Sequence, residues 1–186
     1  ILIASADYKY TAPATTYNVT VDIAKECDPV LSASRAAEGD KITVTVNPVE
    51  GYEFDYITVN DTKITVPEFT MPAANVVVNV YCKKIDYTIT VAEAQNGKVT
   101  TNTTTANVGD EITITATPDA GYEIDSITVK DADGNVIDVN NANKFQMPAA
   151  NVTVTAAFKK ISYKVELGLQ SKNCTPKLSA TSAAEG

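Results

Sequence analysis

Few residues in this chain could do covalent or ligating chemistry. Cysteines stand at 27, 82 and 174, and a pair of thiols can be oxidised to a disulfide that braces a small core. Asp131, Asp133 and Asn135 alternate in the run Asp131-Ala132-Asp133-Gly134-Asn135, and oxygen ligands at alternate positions begin a calcium loop. Here, however, glycine comes fourth rather than sixth, and no bidentate Glu closes a twelve-residue loop. The same Asp-Gly between Val129 and Val136 is a tight-hairpin sequence, because glycine tolerates positive φ. A turn is the favoured reading and a calcium site the alternative.

Other catalytic groupings are missing. The chain has no His, which removes Ser-His-Asp and Cys-His hydrolases and most zinc sites. It has no Walker-type glycine loop or dinucleotide fingerprint. Paired carboxylates can hydrolyse glycosides, but Asp40, Glu50, Asp110 and Asp119 fall in turn sequences, where acids are ordinarily solvated. The expectation is a non-enzyme with no cofactor.

The elements that would position these residues occur more than once. Gly39-Asp40 and Gly51-Tyr52-Glu53 return 70 residues later as Gly109-Asp110 and Gly121-Tyr122-Glu123. Met71-Pro72-Ala73-Ala74-Asn75-Val76 returns after 76 as Met147-Pro148-Ala149-Ala150-Asn151-Val152. The difference is six residues inserted between Val129 and Phe145, around Asp131 to Asn135. Tyr17, Tyr87 and Tyr163 open three copies. Residues 25–39 match residues 172–186 at 10 of 15 positions, yet match 95–109 at only 2 of 15. The first and third copies are therefore nearer kin than neighbours are, an A-B-A array. The expected organisation is 1–16, closing strand of a preceding module plus linker; 17–86, module one; 87–162, module two; and 163–186, the opening of a third.

Within a module the periodicity is two. Ile42-Thr43-Val44-Thr45-Val46, Ile112-Thr113-Ile114-Thr115 and Val152-Thr153-Val154-Thr155 put aliphatic side chains on one face and hydroxyls on the other. Val, Ile and Thr are β-branched, which favours strand over helix. The first two runs are bounded by Gly-Asp before and by Pro48 or Pro118 after. The fold class is all-β: tandem small β-sandwich-like, or helix-poor β-grasp-like, modules. Five to six strands are expected in each, and in module one these fall at 17–23, 30–34, 42–46, 52–59, 63–66 and 76–81.

The repeat also pairs the cysteines. Cys27 falls on Gly97 under the 70-residue shift, and Cys82 falls on Phe158 under the 76-residue shift. Joint presence in one copy and joint absence in the other is what a bond produces. A Cys27–Cys82 disulfide is expected, with two buried thiols as the alternative and with Cys174 partnered beyond residue 186. Such a bond implies an oxidising, extracellular setting.

Composition excludes other classes. A net charge of −8 argues against a nucleic-acid surface, and the only basic pairs, Lys83-Lys84 and Lys159-Lys160, fall at module junctions. No apolar run approaches a membrane span. Asn-x-Thr sequences at Asn18, Asn60, Asn102 and Asn151 read as strand threonines rather than glycosylation acceptors.

Together, Tyr-x-Val-Thr-Val, Gly-Asp-x-Ile-Thr-Val-Thr-x-x-Pro, Gly-Tyr-Glu-Phe and Phe-Thr-Met-Pro-Ala-x-Asn-Val resemble the divergent internalin-type B-repeat of bacterial surface proteins. The resemblance covers 17–84 and 87–160, with a partial copy after Tyr163. It implies small β-rich extracellular modules that act as spacers or in adhesion. Where the family often has Gly-Trp, Asp55-Tyr56 and Asp125-Ser126 stand here, and the chain has no Trp.

Two functions follow. The first is a structural array that extends a surface protein or fibre, its partners being neighbouring repeats or copies of the same protein. The apolar residues 1–9 would supply a donated strand, or else are the ragged end of a longer array. The second is a binding module for a glycan or host protein, using Tyr52, Tyr56, Tyr81 or Tyr122 as stacking surfaces. A feature shared by both modules would favour a structural role, and a concave aromatic patch on only one would favour binding.

Overall fold

A computed structural model describes residues 12–165 and, for the backbone, 182–184. The segment 1–9 and Cys174 lie outside the described residues. The chain divides into two compact units between Lys84 and Ile85, and each is built from strands and turns, with no helix among the described residues.

The first unit contains β1 (Thr16–Val21), β2 (Cys27–Leu31), β3 (Arg35–Ala37), β4 (Lys41–Pro48), β5 (Tyr52–Val59), β6 (Thr62–Ile64), β7 (Glu68–Thr70) and β8 (Val76–Lys84). A five-stranded sheet has the order β3-β1-β8-β5-β6, and a three-stranded sheet the order β2-β4-β7. The pairings are antiparallel except one: β1 runs parallel to β8, with Val19 beside Val76. The alternating pattern produces the two layers. Ile42 and Val44 of β4 are buried between exposed Lys41, Thr43 and Thr45, and they join Val19, Ile57, Val76, Val78 and Val80 of the larger sheet in one core.

The second unit repeats the plan with β9 (Tyr87–Val91), β10 (Gly97–Thr101), β11 (Thr105–Ala106), β12 (Glu111–Pro118), β13 (Tyr122–Asp131), β14 (Val136–Ile137), β15 (Lys144–Gln146) and β16 (Val152–Lys160). Its sheets are ordered β11-β9-β16-β13-β14 and β10-β12-β15, around Ile89, Ile112, Ile114, Val129, Val152 and Val154. A further pair, β17 (Ser162–Lys164) with β18 (Ser182–Ala184), is antiparallel. Its register sets Tyr163 opposite Ala183, as Tyr17 faces Ala36 and Tyr87 faces Ala106. The third copy thus opens with the same strand pairing as the other two.

Three strand expectations need correction. Each unit has eight strands rather than five or six; those not foreseen, β3 and β7 with their counterparts β11 and β15, are two or three residues long and too short to show a period. The first strand ends at Val21 rather than at 23. The second runs Cys27–Leu31 rather than 30–34 and so contains Pro29. Proline is tolerated there because β2 is an edge strand whose missing N–H faces away from the ladder.

Candidate functional site

The repeated motifs are consumed by the fold. Gly39 and Gly109 have φ of 87° and 83°, a region open to glycine at little cost, and this turns the chain so that each Gly-Asp meets its Met-Pro. The Gly39 N–H donates to the Met71 carbonyl at 2.9 Å, and the Met71 N–H donates to the Asp40 carbonyl at 2.8 Å. Gly109, Asp110 and Met147 repeat both bonds at 2.8 and 2.9 Å. Asp40 and Asp110 each accept, through Oδ2, the N–H of the residue three earlier, Ala37 and Asn107. Asn75 Oδ1 accepts the Asn18 N–H at 2.9 Å, and Asn151 Oδ1 accepts the Thr88 N–H at 2.8 Å. The motif asparagine therefore fixes the start of the strand that lies parallel to β8 or β16. Met71 and Met147 are buried.

Cys27 and Cys82 are bonded, with Cα atoms 6.0 Å apart. The bond joins β2 of the smaller sheet to β8 of the larger. In the second unit Gly97 and Phe158 hold these two places, and the ring of Phe158 packs against Gly97.

The run 131–135 closes a hairpin between β13 and β14. Asp131 Oδ1 accepts the N–H groups of Asp133 at 3.0 Å and Asn135 at 2.8 Å, and Oδ2 accepts Asn135 Nδ2 at 2.9 Å. The Asn135 side-chain bond, followed by bonds from backbone N–H groups, holds the Asp131 carboxyl below its usual range. That carboxylate is occupied with its own turn, and among the described residues no cluster of three or more His, Cys, Asp or Glu is set to hold a metal.

The Asn-x-Thr asparagines also have structural partners. Asn60 Oδ1 accepts the Val77 N–H, Asn102 Oδ1 accepts the Thr113 N–H and Asn151 binds Thr88. Asn18 lies exposed within β1.

Compared with known families, residues 17–85 and 87–162 each match the divergent InlB B-repeat domain. The chain belongs to the divergent InlB B-repeat family. Domains of this family are typical of bacterial surface proteins. No curated protein and no solved structure matches the chain.

Set against other B-repeats, the departure at Asp55-Tyr56 and Asp125-Ser126 has a structural meaning. In each unit the register of the long hairpin shifts there, between Phe54 and Tyr56 and between Ile124 and Ser126. Asp55 and Asp125 are the extra residues of β-bulges, which bend a strand and re-aim its side chains. Asp125 is used further: its Oδ1 lies 3.2 Å from Lys159 Nζ, and with Glu123 it raises the Lys159 amine above its usual range. After the first bulge Tyr56 stands opposite Tyr81. The rings stack with centroids 4.5 Å apart, and Lys63 Nζ lies 3.7 Å from the Tyr56 centroid. Ser126 and Ala157 stand opposite one another at the same register of the second B-repeat. The aromatic cluster belongs to the first unit alone. Tyr52 and Tyr122 instead follow the turn glycines, their N–H groups donating to Val49 and Asp119 carbonyls at 3.0 Å.

Proposed function

We propose that this chain is a non-catalytic structural segment of an extracellular bacterial surface protein or fibre, in which consecutive B-repeats act as spacer or assembly units. One observation carries the reading. The residues repeated between copies, Gly39/Gly109, Asp40/Asp110, Met71/Met147 and Asn75/Asn151, are spent on holding strands together, so what the repetition preserves is a fold. A disulfide in the first unit suits an oxidising location. The test is replacement in the parent surface protein. Exchanging residues 87–162 for a second copy of 17–86 should preserve the reach and display of whatever the segment carries, while simple deletion should shorten it. Loss of display after this exchange of one B-repeat for the other would overturn the spacer role.

The aromatic cluster supports a second reading, adhesion to a glycan or host protein. Tyr56, Tyr81 and Lys63 occur together on one unit only, and stacked aromatics with a nearby cation are groups on which sugars and side chains pack. Binding of the whole chain to host-cell glycans that disappears in a Tyr56→Ala, Tyr81→Ala protein would favour it. Equal binding, or none, would leave the structural role.

A further inference from the structure

The two B-repeats share a topology but differ at one edge. In the first unit the Ser32 N–H donates to the Thr43 carbonyl and the Val49 N–H to the Glu26 carbonyl, within a ladder that sets Cys27, Pro29 and Leu31 opposite Pro48, Val46 and Val44. Bonded pairs alternate along an antiparallel ladder. Cys27, Pro29 and Leu31 therefore point their own backbone groups outward, and Pro29 leaves the middle of that row without a donor. Proline on an edge is a known device against pairing with another strand.

The second unit has the same alternation without the block. The Asn102 N–H donates to the Thr113 carbonyl and the Asp119 N–H to the Asn96 carbonyl, so Gly97, Val99 and Thr101 face outward from β10, the outermost strand of its sheet. Val99 stands where Pro29 stands. A groove of about 360 Å³ lies along this edge, between residues 91–94 and 97–99.

We propose that the edge of β10 is a docking edge for a second copy of this chain, β10 pairing with β10 antiparallel about Val99. Three outward residues at alternate positions make the strand self-complementary. Turned about a two-fold axis at Val99, Gly97 meets Thr101 and Val99 meets Val99, so each outward N–H faces an outward carbonyl. Lys98, the only charged residue of β10, then faces Thr100 and not another Lys98. The same patch serves both partners, as closed dimers require. The proposal deepens the assembly side of the structural reading and assigns it an edge.

The test uses the whole chain in sedimentation equilibrium, with loading up to about 1 mM because so short an interface is of the weak class. Wild type should show a monomer–dimer equilibrium, and Val99→Pro should weaken it at least about tenfold. The variant is expected to fold, since Pro29 occupies the matching place in β2 and is half-buried like Val99. Its circular dichroism and melting check this. Amide hydrogen exchange in wild type gives an independent readout that requires no variant. Gly97, Val99 and Thr101 should gain protection with concentration, whereas Lys98 and Thr100, already bonded within the unit, should not. A wild type monomeric throughout, unchanged exchange at these three amides, or association that survives Val99→Pro would each overturn the docking edge. Association that survives would leave the spacer and assembly reading standing through another surface, so the two failures are distinguishable.

Discussion

The ring of Phe158 covers the Cα of Gly97 so closely that a Cβ there would stand 2.6 Å from Cε2 and Cζ. In the first B-repeat the same two positions carry the Cys27–Cys82 bond. One unit ties β2 to β8 covalently; the other fills the gap between β10 and β16 with an aromatic ring that only glycine can accommodate. The two solutions exclude each other residue by residue, which is why the cysteines come and go together.

Gly97→Ala should therefore destabilise the second unit by about 1–2 kcal/mol, the cost of forcing a half-buried ring from its seat. Phe158→Ala removes the obstacle, so the losses in Gly97→Ala and Phe158→Ala should combine to less than their sum. A double-mutant cycle by urea unfolding measures the coupling. Additive losses would mean that the ring moves aside freely.

Reduction of Cys27–Cys82, which closes a separation of 55 residues, should lower the stability of the first unit by roughly 2–4 kcal/mol. Calorimetry with and without reductant should show one transition moving and one staying. In Gly97→Cys, Phe158→Cys protein the second transition should become sensitive to reductant as well. Insensitivity of that doubly substituted unit would show that its sheets approach one another differently from those of the first.

Lys41 Nζ lies 2.7 Å from Glu68 in the first unit, and Lys144 Nζ lies 2.6 Å from Glu111 in the second. The charges are reversed across equivalent strands, β4 with β7 and β12 with β15. Lys41→Glu should cost less than about 1 kcal/mol, because both side chains are largely exposed and salt screens them. Adding Glu68→Lys should restore most of the loss. Denaturation at low and high salt checks both, and a double reversal no better than the single one would refute the equivalence.

Asp131 gives the hairpin a pH dependence of definite sign. Its folded carboxyl titrates below the ordinary value, so the stabilisation it supplies is complete above the unfolded value of about 3.9. It is lost as the pH falls through the lower folded value. The amide resonances of Asp133 and Asn135 should move together with a midpoint below about 3.9, and Asp131→Ala should abolish that movement. A midpoint at or above the ordinary value would contradict the hydrogen-bonded turn.

Alternation of Ile or Val with Thr was sufficient from sequence alone to place β4, β12 and β16. Burial on one face of a strand writes a period of two into the residues themselves. Repetition added the module plan, and the joint replacement of Cys27 and Cys82 added their bond, since a covalent pair leaves a correlated trace. Partner choice leaves no such trace. The parallel union of β1 with β8, the short strands β3 and β7, and the outward edge of β10 depend on which distant segments come to lie side by side, a non-local outcome that only the folded chain decides. So too with Tyr56 and Tyr81. They lie 25 residues apart in sequence, and a bulge at Asp55 rather than any local pattern turns their rings onto one face, because one extra residue in a strand inverts the side on which every later side chain falls.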